Sequence, residues 1–316
     1  MDMDTDLSAR TEGAISGSAG PAGRGPHGAR GRETQFAQQG RVLNVFGNGF
    51  LILWALLVIL PILWVVLGSF KTDSEIGGSA WSWPSHWSFD AFGRAWTKGI
   101  GGYFGNTVIV LTFSVTLTML FGSMAAYVLA RCEFRGNRFI YYLFVSGVMF
   151  PVYLALVPLF FQVNNLHMLN TYQGLVLVYA AFSMPFTVFF LHAFFRTLPT
   201  AVFEAALLDG ASYTRAFFQV MVPMAKPGLL SVGIFNVLGQ WNQYLLPVVL
   251  MQRQRGQSQA HQMLSQGLVN LLVAQGYSGD YPALFAGMTI AMIPVLVVYL
   301  SFQRQVQAGL TAGTFK

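Results

Sequence analysis

Apolar residues run in long unbroken blocks along this chain, without the polar face that a helix at a water-exposed surface carries. Stretches free of Asp, Glu, Lys and Arg cover residues 42–70, 99–130, 139–195, 227–252 and 281–303. A helix rises about 1.5 Å per residue, so about 20 apolar residues cross the hydrocarbon of a bilayer. Every stretch is long enough. The one from 139 to 195 holds two crossings, because Asn164, Asn165, His167, Asn170 and Gln173 interrupt its middle with polar groups that suit a membrane surface. The pattern predicts six spans, at 46–69, 107–130, 139–162, 174–195, 228–251 and 283–303, and hence an all-α integral membrane protein.

Residues 1–40 are rich in Gly, Ala, Ser and Arg and have no apolar period, so they bury too little surface to offset the entropy of ordering. The reading makes them a disordered tail and residues 41–316 one membrane domain. The first apolar run starts only near Phe46 and is too long for a secretory signal. Basic residues near span ends are retained on the cytoplasmic side. Thirteen of the Lys and Arg residues fall in the tail, the loops after spans two and four, and the C-terminus, against five in the alternate loops. Both termini are therefore expected in the cytoplasm.

Charged residues make up 9% of the chain, where a soluble domain carries about 25%. That excludes a water-soluble enzyme. The net charge of +6 records topology rather than a nucleic-acid partner. A lone cysteine, Cys132, can form neither an intramolecular disulfide nor a multi-cysteine metal site. Trp81, Trp83, Trp87 and Trp96 crowd the first loop, where indole rings either anchor the chain in the headgroup layer or offer a platform for sugar. His86 beside them has no second ligand at metal-binding spacing.

The spans contain no Asp, Glu, Lys or Arg, the residues that proton-coupled carriers use, although sodium coupling through backbone carbonyls stays open. His192, the one imidazole in a span, reads as facing a neighbouring helix. No paired carboxylates, activated nucleophile or metal cluster stands near either membrane face. There is also no G-x-x-x-x-G-K-[ST] phosphate loop. The expectation is a non-catalytic chain that binds no cofactor or metal itself, so that any ATP is bound by another chain.

The cytoplasmic segment after span four, residues 196–228, reads RTLPTAVFEAALLDGASYTRAFFQVMVPMAKPG. Pro199 suits a first helical turn, Val202, Phe203, Ala206 and Leu207 form a helical stripe, and Gly210 can take the left-handed conformation that ends a helix. Ser212 caps a second helix whose Phe217, Phe218, Val220 and Met221 face the bundle, and Pro223 and Pro227 interrupt it. A helix, a sharp turn and a second helix follow. An ordinary amphipathic connector would need the stripes but no particular residue at Glu204, Ala205, Ala206, Asp209 and Gly210.

The string EAALLDGA with Phe217, Pro223 and the pair Lys226-Pro227 resembles the EAA loop of bacterial ATP-binding-cassette importer permeases. Two further passages resemble the carbohydrate, MalG-like branch of that family. One is AAYVLARCEFRG, carried by Ala125, Ala126, Tyr127, Ala130, Arg131, Phe134 and Gly136; the other is the Gly-Leu-Thr-x-Gly ending in FQRQVQAGLTAGTFK. The resemblance spans about residues 45–316 and leaves out the tail.

The resemblance implies the MetI-like permease fold of six transmembrane helices with a cytoplasmic coupling helix, in a multi-pass subunit of the bacterial plasma membrane. It also implies the partners: a second permease, an ATPase dimer holding ATP and Mg, an extracellular sugar-binding lipoprotein, and membrane lipid. ATPase coupling would fall to Glu204, Ala205, Ala206, Asp209, Gly210, Ala211, Phe217 and Pro223, with the small residues seating the helix in a groove. In span five Asn236, Gln240, Trp241, Asn242, Gln243 and Tyr244 either line a route for a neutral sugar or bind neighbouring helices. Relatives often carry an acidic residue at the place of Gln243. In loop five, residues 252–282, the candidates for contact with the binding protein are Gly267, Asn270, Gln275 and Asp280, against plain packing of an outer loop.

Similarity to amino-sugar and oligosaccharide permeases points to N-acetylglucosamine or a chitin disaccharide as cargo. The alternatives are a permease of the same architecture for a non-sugar solute, a membrane scaffold, and an ion-coupled carrier.

Overall fold

The computed structural model describes residues 27–79, 81–252 and 261–311, and every regular element among them is helical. The chain divides after Leu60 into two units. Helix α1, His27–Gly68, contains the crossing stretch Gly47–Gly68, with a mean hydropathy of 3.0. It begins inside the stretch that composition assigns to the tail, while residues 1–26 lie outside the described residues. Leu51, Leu53, Trp54 and Leu57 are all exposed on it, an apolar surface that suits lipid rather than water.

In the second unit, Pro61–Lys316, the first loop is structured rather than open. Its short helix α2, Asp73–Gly78, starts with a capping box in which Thr72 and Glu75 each bind the other's backbone N–H. Glu75 also accepts from the hydroxyl and the backbone N–H of Ser85. These bonds, those from Ser85 first, hold its carboxyl down at about 2. Helix α3, Asp90–Ala95, runs through a π turn into α4, Gly101–Arg131, and Gly99 at φ +114° supplies the kink between them.

Among the described residues four helices are long and apolar enough to cross a membrane, and the number rises to six if each of two bent pairs, Asn137–Met149 with Tyr153–Asn165 and Tyr213–Met224 with Lys226–Trp241, is taken as one span. The continuous ones are Gly47–Gly68, Asp90–Arg131, Tyr172–Thr197, which is α7, and Tyr281–Gln305. The third span, expected as one proline-kinked helix over 139–162, is divided into two. It is α5, Asn137–Met149, and α6, Leu156–Asn165, bent by 90°. Pro151 causes the break: it lacks an N–H and drives Phe150 to an extended φ/ψ of −75°/122°. The fifth span, expected over 228–251, is also broken. Helix α11, Lys226–Trp241, stops before Asn242, and α12, Leu245–Leu250, starts after Tyr244. Pro247 explains this interruption, since its ring would collide with the Gln243 carbonyl in a continuous helix.

Loop five also departs from a plain loop, because it carries a helix, α13, Leu264–Ser278, before the last helix, α14, Tyr281–Thr311. Small residues let the spans approach closely. A Cβ added at Gly122 on α4 would lie 2.7 Å from Thr187 on α7, and one at Gly228 on α11 would lie 2.6 Å from the ring of Phe194. Three buried clusters result. One, at the C-terminal ends of α4 and α7 and the start of α11, includes Tyr127, Leu191 and Phe195, with Met221 from the segment that leads into α11. A second joins α7 to α12 through Leu175, Tyr179, Leu246 and Leu250, and a third joins α3, α4, α13 and α14 through Ala95, Tyr103, Leu264 and Leu284.

Candidate functional site

Helix α7 ends at Thr197, and Leu198 and Pro199 are extended, so Pro199 stands at the N-cap of α8, Thr200–Leu208, one place before the first turn. Asp209 ends α8 and Gly210 follows in the left-handed region at φ +83°. That conformation returns the chain onto the helix: Gly210 N–H donates to the Leu207 carbonyl and Ala211 N–H to the Ala206 carbonyl, both at 3.0 Å. The pair is a Schellman motif, which satisfies carbonyls that a helix end otherwise leaves bare. Ser212 then accepts from Arg215 N–H at 3.2 Å and caps α9, Tyr213–Ala216. A π turn, Phe217–Met221, and α10, Val222–Met224, lead to an 80° bend into α11.

This elbow is seated in the bundle by aromatic rings. Phe203 from α8 and Phe217 from the π turn are buried, with ring centres 6.0 and 5.0 Å from that of Tyr127 on α4. Met221, one turn beyond Phe217, is buried as well, whereas Phe218 is exposed and Val220 only partly covered. The expected inward stripe therefore narrows to Phe217 and Met221, because the segment winds as a π turn there. Tyr127 also donates its hydroxyl to the Tyr213 carbonyl at 3.0 Å. Arg131, one turn further along α4, donates to the carbonyls of Phe195 at 2.6 Å and Leu198 at 2.5 Å and to the Thr200 hydroxyl at 3.0 Å. It thereby closes the end of α7 and the start of α8 together.

With one side of α8 anchored, the opposite side is bare. Val202, Glu204, Ala205 and Asp209 are exposed, and Leu208 is 88% exposed. Ala206 and Ala211 are half-buried beneath the turn, and Pro223 is exposed on α10. An open groove of about 1270 Å³ runs beside α8, lined by Glu204, Thr200, Arg131, Arg138, His192 and Arg196 among others. His192 is buried in its wall with its ring centre 4.1 Å from that of Tyr141.

The polar residues of span five separate into two groups. Asn236 donates to Thr187 on α7 at 2.9 Å. Gln240 accepts from Ser114 on α4 and donates to Ser183 on α7 at 2.9 Å, and Trp241 Nε1 donates to the Ala291 carbonyl on α14 at 3.2 Å. These three bind helix to helix. Asn242, Gln243 and Tyr244 lie in the break between α11 and α12. Asn242 caps its own helix through the Leu238 carbonyl, the Gln243 carbonyl accepts from Ser265, and the side chains of Asn242 and Tyr244 are exposed.

The candidates in loop five are equally varied. Gly267 is buried, and a Cβ there would lie 2.0 Å from the ring of Tyr103. Its lack of a side chain serves packing rather than surface contact. Asn270 is exposed and donates to Gln262. The side chain of Gln275 lies outside the described residues. Asp280 joins Arg94 at 3.0 Å and Lys98 at 2.5 Å, so loop five is tied to loop one. Partial burial raises its pKa, but the bonds from Arg94 and Lys98 outweigh this and hold the carboxyl at about 2.

Sequence reasoning gave no role to Leu208, Tyr213 or the Tyr127 and Arg131 pair. The last two stand in a motif that the sequence did display, but their partners lie 64 to 86 residues away along the chain.

Residues 118–311 match the family described as binding-protein-dependent transport system inner membrane component. The diacetylchitobiose uptake system permease protein NgcG of Streptomyces coelicolor is 50% identical, over 89% of this chain and 91% of that protein. The probable ABC transporter permease protein YurM of Bacillus subtilis is 33% identical, over 84% of this chain and 87% of its own length. A bacterial ABC transporter involved in the import of the acidic polysaccharide alginate includes a chain of the same fold, with a TM-score of 0.72 at 22% identity, covering 84% of this chain and 97% of that one. Elbow, spans and sequence agree: the chain belongs to the family of binding-protein-dependent transport inner membrane components, as a non-catalytic, membrane-embedded permease subunit of an ATP-binding-cassette importer.

Proposed function

We propose that this subunit imports a short amino-sugar oligosaccharide, with N,N′-diacetylchitobiose as the first candidate, from an extracellular binding protein into the cytoplasm. The cargo is inferred from the name of the relative at 50% identity. A second permease chain would complete the pathway. Two ATPase subunits, holding ATP and Mg, would drive it from the cytoplasmic side, where both chain termini also lie.

The observation that carries this reading is the two-sided build of α8. Phe203 locks one side into the bundle, while Glu204, Ala205, Leu208 and Asp209 stand free on the other. A short helix with a leucine and two carboxylates on a bare face suits a groove in a partner, the small Ala205 permitting close approach. The Schellman turn at Gly210 and the cap at Ser212 make the elbow stiff, so that displacement of α8 passes into α7 and α11 rather than dissipating in a loop. Along the route, the exposed side chains of Asn242 and Tyr244 at the break in span five supply an amide and a ring, which suit a neutral sugar. Asn270, whose side chain is exposed, is the loop-five candidate best placed to meet the binding protein.

Reconstitution of the complete importer in vesicles tests the reading. Uptake of N,N′-diacetylchitobiose that needs ATP, the ATPases and the binding protein is the expected result. Uptake that persists without the ATPases would count for an ion-coupled carrier instead.

A further inference from the structure

The coupling elbow is continuous in sequence only with α7 and α11, yet its polar bonds reach a helix to which it is not directly joined. Tyr127 and Arg131 sit one turn apart on α4, on the side that faces the elbow. The Tyr127 hydroxyl donates to the backbone of Tyr213 at the start of α9, and its ring meets those of Phe203 and Phe217. The Arg131 guanidinium holds the carbonyls of Phe195 and Leu198, which end α7, and the hydroxyl of Thr200, which begins α8. Together they grip both arms of the elbow, and three of the four bonds go to backbone carbonyls, which substitutions elsewhere in the loop would not remove. Bonds from a charged donor are also stronger than neutral ones.

We propose that Tyr127 and Arg131 are positioning residues that carry α4 along with the coupling elbow, so that α4, α7 and the elbow move as one body when the ATPases close. Packing alone would resist separation of α4 from the elbow but would allow sliding. The three backbone carbonyls and the hydroxyl fix register. Further up α4 the same body continues, through Ser114 bound to Gln240 and Gly122 packed on Thr187. A movement begun at α8 therefore reaches mid-membrane depth on a helix that the loop does not touch in sequence.

This inference rests on the reading that α8 docks on an ATPase, and the experiment separates the two. In a Cys132→Ser background, Phe113→Cys on α4 and Thr214→Cys on α9, both exposed positions, are spin-labelled in the complete reconstituted importer. The label on α4 stands roughly 21 Å along the helix from Tyr127, which suits distance measurement by electron resonance. The distance is read without nucleotide and with ATP trapped. A photo-crosslinker at Leu208 reports docking in the same two states.

The expected result is one distance in both states for the wild-type importer, and two distances once Arg131→Gln is combined with Tyr127→Phe. In that variant the ATP consumed per sugar imported should rise several-fold while the complex still purifies with its ATPases. Tyr127→Phe alone, which loses only a hydroxyl, should shift the ratio in the same direction, and Arg131→Lys should restore part of it. A wild-type distance that changes with nucleotide overturns the inference. So does a double variant whose distance and coupling ratio match the wild type, because packing alone would then suffice. If the doubly substituted complex does not assemble, the hydroxyl variant and the wild-type distances decide. No adduct between Leu208 and an ATPase in either state overturns the docking reading itself.

Discussion

The backbone N–H of Ala211 donates to the carbonyl of Ala206 at 3.0 Å, across a turn that only the left-handed conformation of Gly210 permits. No atom lies within 4 Å of a Cβ built at Gly210, so a side chain there meets open space and the cost of substitution is backbone strain alone. A left-handed residue other than glycine costs about 1–2 kcal/mol. Gly210→Ala should therefore reduce ATP-driven uptake modestly and Gly210→Val strongly, with both proteins inserting at wild-type levels. Membrane insertion and uptake measured on the same vesicles check this.

Gln240 decides between two readings of span five. Its amide bonds Ser114 and Ser183 on two other helices. Interhelical hydrogen bonds in membranes contribute about 0.6 kcal/mol on average and up to about 1.7 kcal/mol. Gln240→Leu should lower the unfolding temperature of the purified complex and leave the ranking of sugars in competition assays unchanged. Tyr244→Ala, at the exposed break, should do the reverse.

Gly267 lies beneath the ring of Tyr103, with no room for a methyl group. Overpacking of this kind costs about 1–3 kcal/mol. Gly267→Ala should destabilise loop five and shift its proteolysis to lower protease concentration. A smaller ring neighbour, Tyr103→Leu, should relieve part of that effect in the double variant.

Asp280 binds Arg94 and Lys98, and its carboxyl titrates at about 2 instead of its ordinary 3.8. A folded-state pKa below the unfolded value contributes stability that is complete above the unfolded pKa and is lost as pH falls through the folded one. The difference in melting temperature between the wild type and Asp280→Asn should stay constant from pH 5 to pH 8 and shrink between about pH 4 and about pH 2. A difference that already varies near neutrality would show that another group governs the clamp.

Much of the elbow was legible because its determinants are local. Gly210 with φ free to turn positive, Ser212 as a cap, and Pro223 and Pro227 as interruptions each act within a few residues, and the helix, turn and helix follow from them. The breaks at Pro151 and ahead of Pro247 were less legible. A proline within an apolar run is equally consistent with a continuous kinked helix, as Pro185 in α7 and Pro294 in α14 demonstrate. Whether the helix continues depends on what packs around the freed carbonyl. The pattern does not name long-range partners: Arg131 read as a basic residue at a span end within a family motif, Asp280 as a candidate for contact with the binding protein, and Asn236 and Gln240 as residues that either line the route or bind neighbouring helices. Their bonds to α7, loop one and α4 appear only when the chain is folded.

The bare face of α8 gives the most direct test of the whole account. A photoreactive amino acid placed at Leu208, which is 88% exposed, is irradiated in the intact importer. An adduct with an ATPase subunit is the predicted product. Adducts formed only with lipid or with the extracellular binding protein would contradict the docking of this helix and its cytoplasmic position together.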